Sequence, residues 1–129
     1  MPRLRREEFE GLVDRAWETI PETFRKRFSN VALFVQDEPT RDQLQSAGVP
    51  AGNTLFGLYQ GIPLNRRGSG YSMTMPDQVT LFQGPIEREA RTAREVGQIV
   101  FDTLWHELAH HLGMNEDEVR EAERRRGVW

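Results

Sequence analysis

The sequence predicts one domain of mixed helix and strand, and three observations carry that expectation. Apolar residues recur at helical spacing near the N-terminus. Three short apolar runs with strand composition follow. A long helical pattern then fills most of the region from residue 87 onward. At 129 residues the chain is read as a single domain, 1–129, with one modest core.

The first helix is expected over residues 5–19. There Phe9, Leu12, Val13, Ala16, Trp17 and Ile20 fall three and four apart, and the stripe is read as the face that backs a sheet. Pro21 interrupts the pattern, and residues 21–24 restart a short turn with proline near its first position. Val31 to Val35 is a short apolar run with β-branched ends, closed by Asp37-Glu38-Pro39, and reads as a buried strand. Residues 40–54 are polar and glycine-bearing, a loop with a helical turn at 41–46. A second strand is expected at 54–59 and a third at 78–82, the latter ended by Gly84-Pro85. Between them, residues 65–70 (Asn-Arg-Arg-Gly-Ser-Gly) lack the spacing of a phosphate-binding loop and read as surface loop.

The longest helical pattern spans 87–112. Val96, Val100, Leu104 and Leu108 form one stripe, widened by Ile99, Phe101, Trp105 and Leu112, so this helix is expected to run buried through the domain. Asn115 with Glu118 has the spacing of a capping box for a small last helix that ends in the basic run 124–126.

Composition narrows the function. A formal net charge of −3 gives no basic footprint for nucleic acid. The absence of cysteine excludes disulfides and thiolate metal sites and suits a reducing compartment. No apolar run approaches the roughly 20 residues of a membrane span, and the charged start Arg3-Leu4-Arg5-Arg6 is unlike a signal peptide, so the expected location is the cytoplasm.

All three histidines lie in one stretch, His106-Glu107-Leu108-Ala109-His110-His111-Leu112-Gly113-Met114-Asn115-Glu116. On a helix each residue turns about 100°, so His106 and His110 stand about 40° apart on one face, with Glu107 beside it. Two imidazoles one turn apart suit a tetrahedral zinc ion. The carboxylate between them is placed to reach a water on that ion rather than the ion itself. A solvated helical face can also carry two histidines and a glutamate. Here the pattern lies on an amphipathic helix and continues into Gly113, where a chain can turn and bring Glu116 back as a third ligand. Asp117, Glu118 and Asp102 are competitors for that place, with Glu116 favoured. His111 points about 100° away from His110 and is expected to pack or hydrogen-bond instead.

The extended motif His106-Glu107-x-x-His110-x-x-Gly113-x-x-Glu116 resembles that of the zincin metallopeptidases. The whole chain is similar to the minimal zincin-like family of short bacterial proteins. Residues 56–64 (Phe-Gly-Leu-Tyr-Gln-Gly-Ile-Pro-Leu), 75–82 and Pro85-Ile86-Glu87 extend the likeness over most of residues 5–120. The resemblance implies an α+β fold with a short sheet over the backing helix and the active-site helix. It implies zinc on His106, His110 and Glu116, with Glu107 as general base in peptide hydrolysis.

The larger zincins differ in three respects. Metzincins carry histidine where Glu116 stands, and their methionine turn has no room in the 13 residues that follow. No histidine is left to stabilise an oxyanion, which leaves Tyr59, Tyr71, Arg66 or Arg67. The lower wall of the cleft is nearly absent, so slow cleavage with loose sequence preference is expected. The substrate is expected to lie as an extended peptide along a free edge of the strand at 78–82. The alternative from another class is a zinc-stabilised module that holds a peptide or protein without cutting it.

Overall fold

A computed structural model of the chain describes residues 2–28, 31–61, 77–111 and 117. The loop at 65–70, Tyr71, Gly113, Glu116 and the expected last helix apart from Asp117 lie outside the described residues. The architecture is mixed α and β, with three strands and five helices among the described residues.

Helix α1 (Arg6–Thr19) begins where the Glu8 carboxylate accepts the Arg5 N–H at 3.0 Å. It buries Phe9, Val13 and Ala16 along one stripe. It stops because Ile20 precedes a proline and is held in extended backbone. Pro21 then caps the single turn α2 (Glu22–Arg25). Strand β1 (Val31–Gln36) leads to α3 (Arg41–Ser46), where Thr40 and Gln43 exchange side-chain-to-backbone bonds of 3.1 and 2.8 Å in a capping box. Strand β2 (Gly57–Gln60) starts three residues later than the composition indicates, and β3 spans Asp77–Phe82.

The expected single helix over 87–112 is instead two helices, α4 (Gln83–Glu89) and α5 (Ala93–His111). Ala90 is extended, and the chain restarts at Thr92, whose Oγ accepts the Glu95 N–H while the Glu95 carboxylate accepts the Arg91 N–H, both at 3.1 Å. Gly84-Pro85 sits inside α4 rather than ending β3. Pro85 occupies the first turn, where an N–H has no intrahelical partner to lose.

The sheet order is β1-β3-β2, with β1 parallel and β2 antiparallel to β3. This overturns the expectation that residues 78–82 offer a free edge, because β3 is the central strand and is paired on both sides. Its physical mark is burial on both faces, since Val79, Thr80, Leu81 and Phe82 are all buried. The register aligns Val31, Leu33, Val35, Gly57, Tyr59, Val79 and Leu81 on one face. That face packs against α1 and α5, and Phe9, Val13, Val96, Val100, Leu104 and Leu108 close the core from the helical side. Trp105 meets Phe24 edge-on, with ring centres 5.2 Å apart.

Each fully buried side chain contributes about 1.5–3 kcal/mol, more than the roughly 1 kcal/mol of a single hydrogen bond, and four of them act together along this helix. Packing of Val96, Val100, Leu104 and Leu108 therefore fixes the rotation of α5 about its axis. The residues on its other side are positioned as a consequence. No described helix is long and apolar enough to cross a membrane.

Candidate metal centre and general base

Rotation of α5 leaves His106 and Glu107 half-buried and His110 exposed, on the side turned from the core. The Nδ1 of His106 lies 2.9 Å from the Asp102 carbonyl oxygen. A carbonyl only accepts, so Nδ1 carries the proton and the lone pair is at Nε2, the arrangement a metal-binding imidazole takes. The rings of His106 and His110 have centres 6.2 Å apart and planes at 76°. Zinc–nitrogen bonds of about 2.0–2.1 Å set each ring centre roughly 3.2 Å from the ion, so two rings at a tetrahedral angle have centres about 5 Å apart. The pair stands about 1 Å wider than that, a gap that a turn of the exposed His110 side chain closes.

Glu107 reaches the sheet. Its Oε1 accepts the main-chain N–H of Tyr59 at 2.9 Å, across 48 residues of sequence. Burial pushes the Glu107 carboxyl above the ordinary carboxylate range, while the Tyr59 N–H and then the charges of His110 and His106 pull it back down. This carboxylate is thus half out of water and held by a fixed donor.

Tyr59 ties the same region together with its side chain. Its ring stacks on His111 with centres 4.0 Å apart and planes at 16°, and its hydroxyl donates to Asp77 Oδ2 at 2.8 Å. His111 Nε2 lies 3.7 Å from that same Asp77 oxygen. His111 therefore packs and pairs on the side of Tyr59, as its helical position requires. A cleft of about 320 Å³ runs beside the motif, between residues 54–57 and Asp102, Thr103, His106 and Glu107.

Among the described residues no three metal-ligating side chains converge. Glu116, the expected third ligand, and Glu118 lie outside the described residues, and Asp117 is helical and exposed.

A model of the zincin-like metallopeptidases matches residues 28–126. The chain belongs to the zincin-like metallopeptidase family. Among solved structures it is similar to a conserved hypothetical protein of Thermus thermophilus. That likeness has 26% sequence identity and a TM-score of 0.57, over 84% of this chain and 94% of that one. No curated protein matches.

For this zincin-like chain the neighbourhood of Tyr59 is the part that the motif did not disclose. Of the four residues considered for an oxyanion, Arg66, Arg67 and Tyr71 lie outside the described residues. The Tyr59 hydroxyl is directed to Asp77, so the residue acts on the motif through its ring and its main chain. No sequence signal marks this, because the contact is made by a backbone N–H.

Proposed function

We propose that the chain is a zinc-dependent peptidase in which His106, His110 and Glu116 hold the ion and Glu107 is the general base. The carrying observation is the Glu107 carboxylate, half-buried next to two imidazoles and fixed at Oε1 by the Tyr59 N–H. A site built only to bind metal has no use for a carboxylate held back from the ligands. The donor set suits zinc, with Nδ1 of His106 committed to Asp102 and Nε2 in the form that ligates.

A zinc ion held there supplies a Lewis acid for a peptide carbonyl and lowers the pKa of water to about 7. The chain's own part is proton traffic. Glu107 takes a proton from the attacking water, the water oxygen bonds the carbonyl carbon, and Glu107 passes the proton to the nitrogen as the C–N bond breaks. One water is consumed, and a carboxylic acid and an amine leave.

The substrate runs along β2 in this reading, replacing the β3 edge. Phe82 N–H donates to the Phe56 carbonyl at 2.8 Å, which makes Phe56, Leu58 and Gln60 the residues bonded to β3 and turns the main chain of Gly57 and Tyr59 outward. An extended peptide laid there pairs with Gly57 and the Tyr59 carbonyl, the Tyr59 N–H being taken by Glu107, and passes directly beside Glu107 and the cleft. A cysteine-free chain suits the cytoplasm as its setting.

The test is a digest of an unbiased peptide library by the zinc-loaded protein and by Glu107→Gln. Cleavage by the first and none by the second supports the peptidase. No cleavage by either, with peptide binding intact, favours a zinc-stabilised binding module.

A further inference from the structure

We propose that the main-chain N–H of Tyr59 is the positioning group for Glu107, fixing one carboxylate oxygen so that the other is left to carry the proton. The inference rests on the peptidase reading above and names a residue that the motif leaves out.

Three observations carry it. The first is direction. In the ladder between β2 and β3 the bonded residues of β2 are Leu58 and Gln60, so the Tyr59 N–H leaves the sheet on its outer side, where Glu107 Oε1 receives it at 2.9 Å. Among the described residues β2 is an edge strand, whose outward N–H is ordinarily satisfied by water, and the sheet gains nothing from this bond. The half-buried carboxylate does gain, because a polar group withdrawn from water needs a compensating donor.

The second observation is rigidity. A side-chain donor would turn about its own bonds, whereas this N–H belongs to a backbone held on both sides by pairs Leu58–Thr80 and Gln60–Gln78. The third is that Tyr59 is itself pinned to the central strand on one side and to the motif helix on the other. Its hydroxyl bonds Asp77 on β3 and its ring stacks on His111, one residue past His110 on α5. Movement of β2 relative to the motif helix must break the Glu107 bond and the His111 stack together. A base with Oε1 fixed in this way has one remaining oxygen, Oε2, for the proton it takes and returns.

Two measurements test this. Amide hydrogen exchange followed by NMR on the zinc-loaded protein should show the Tyr59 N–H protected in wild type. In Glu107→Ala its exchange should be at least about tenfold faster, with that of Val79 unchanged. Equal exchange of the Tyr59 N–H in the two proteins overturns the bond whether or not the protein cleaves anything.

The second measurement replaces the Tyr59 amide by an ester, introducing the hydroxy-acid analogue of tyrosine, which removes the N–H and weakens the Leu58 carbonyl as an acceptor, a change that melting temperature reads separately. Zinc content and KM should hold while kcat falls about 10- to 100-fold, the cost of a misplaced reacting group. A merely structural bond would show in melting temperature or zinc content and leave kcat per zinc-loaded chain alone. Unchanged kcat in the ester, with wild type far above Glu107→Gln, overturns the positioning role and spares the peptidase. Wild type no more active than Glu107→Gln overturns the peptidase reading itself and the positioning role with it.

Discussion

Gly57 lies so close to Thr103 that a Cβ built on it would stand 2.6 Å from the Thr103 methyl and 3.3 Å from the Thr80 carbonyl oxygen. That approach lets β2 ride against α5 and brings Tyr59 within bonding distance of Glu107. Gly57→Ala should therefore force the strand from the helix and cost about 1–3 kcal/mol, as overpacking does. Denaturant unfolding measures the loss. By contrast Gly11, inside α1, has nothing within 4 Å of the position of an added Cβ. Gly11→Ala should stabilise by about 0.5–1 kcal/mol through helix propensity. Destabilisation at Gly11 equal to that at Gly57 would mean that the tight strand–helix approach is not what limits position 57.

Zinc should be present at about one ion per chain, and His106→Ala and His110→Ala should each lose it. Removing the metal should lower the melting temperature, because an ion bound to the native state adds to folding free energy. Metal analysis of the purified variants checks this, and full zinc in either variant contradicts the ligand pair.

The third ligand separates by ranking. Glu116→Gln should weaken zinc affinity markedly and Asp117→Asn much less, measured by competition with a chelator. The reverse order moves the ligand to Asp117.

A surface pair gives a prediction with a definite sign in pH. Arg88 makes two bonds to the Glu38 carboxylate, of 2.6 and 2.9 Å, and these hold Glu38 below its ordinary value. A depressed carboxylate contributes stability above its unfolded pKa and loses it as pH falls through the folded one. Both side chains are about half exposed, so the contribution at neutral pH is below about 1 kcal/mol and is reduced by salt. The stability gap between wild type and Arg88→Ala should thus be small at pH 7 and close as the pH falls past the acidic range of Glu38. A gap that widens in acid contradicts the pairing.

What the sequence discloses follows from how local each signal is. The stripe Phe9, Val13, Ala16 and the run Val31–Val35 are visible because periodicity is set within a few residues, and the structure has both elements at the expected places. The break at Ala90 has a local mark too, in the Thr92-x-x-Glu95 spacing, yet the apolar stripe on either side reads straight across it. Sheet order is a matter of contacts between distant segments, such as Leu33 with Val79. The poor alternation of 78–82, with all of Val79 to Phe82 buried, is the mark of a central strand and runs against an edge. His106, Glu107 and His110 declare themselves by spacing alone. The donor that holds Glu107 is a backbone group, and no residue type announces it.

The central claim is that Glu107 is the base of a zinc peptidase, and the most direct measurement is turnover by Glu107→Gln at confirmed full zinc. The substitution keeps the shape and the histidine ligands while removing the group that accepts a proton. The expected result is zinc content and peptide affinity equal to wild type, with cleavage of library peptides abolished. Cleavage by Glu107→Gln at the wild-type rate would contradict the assignment.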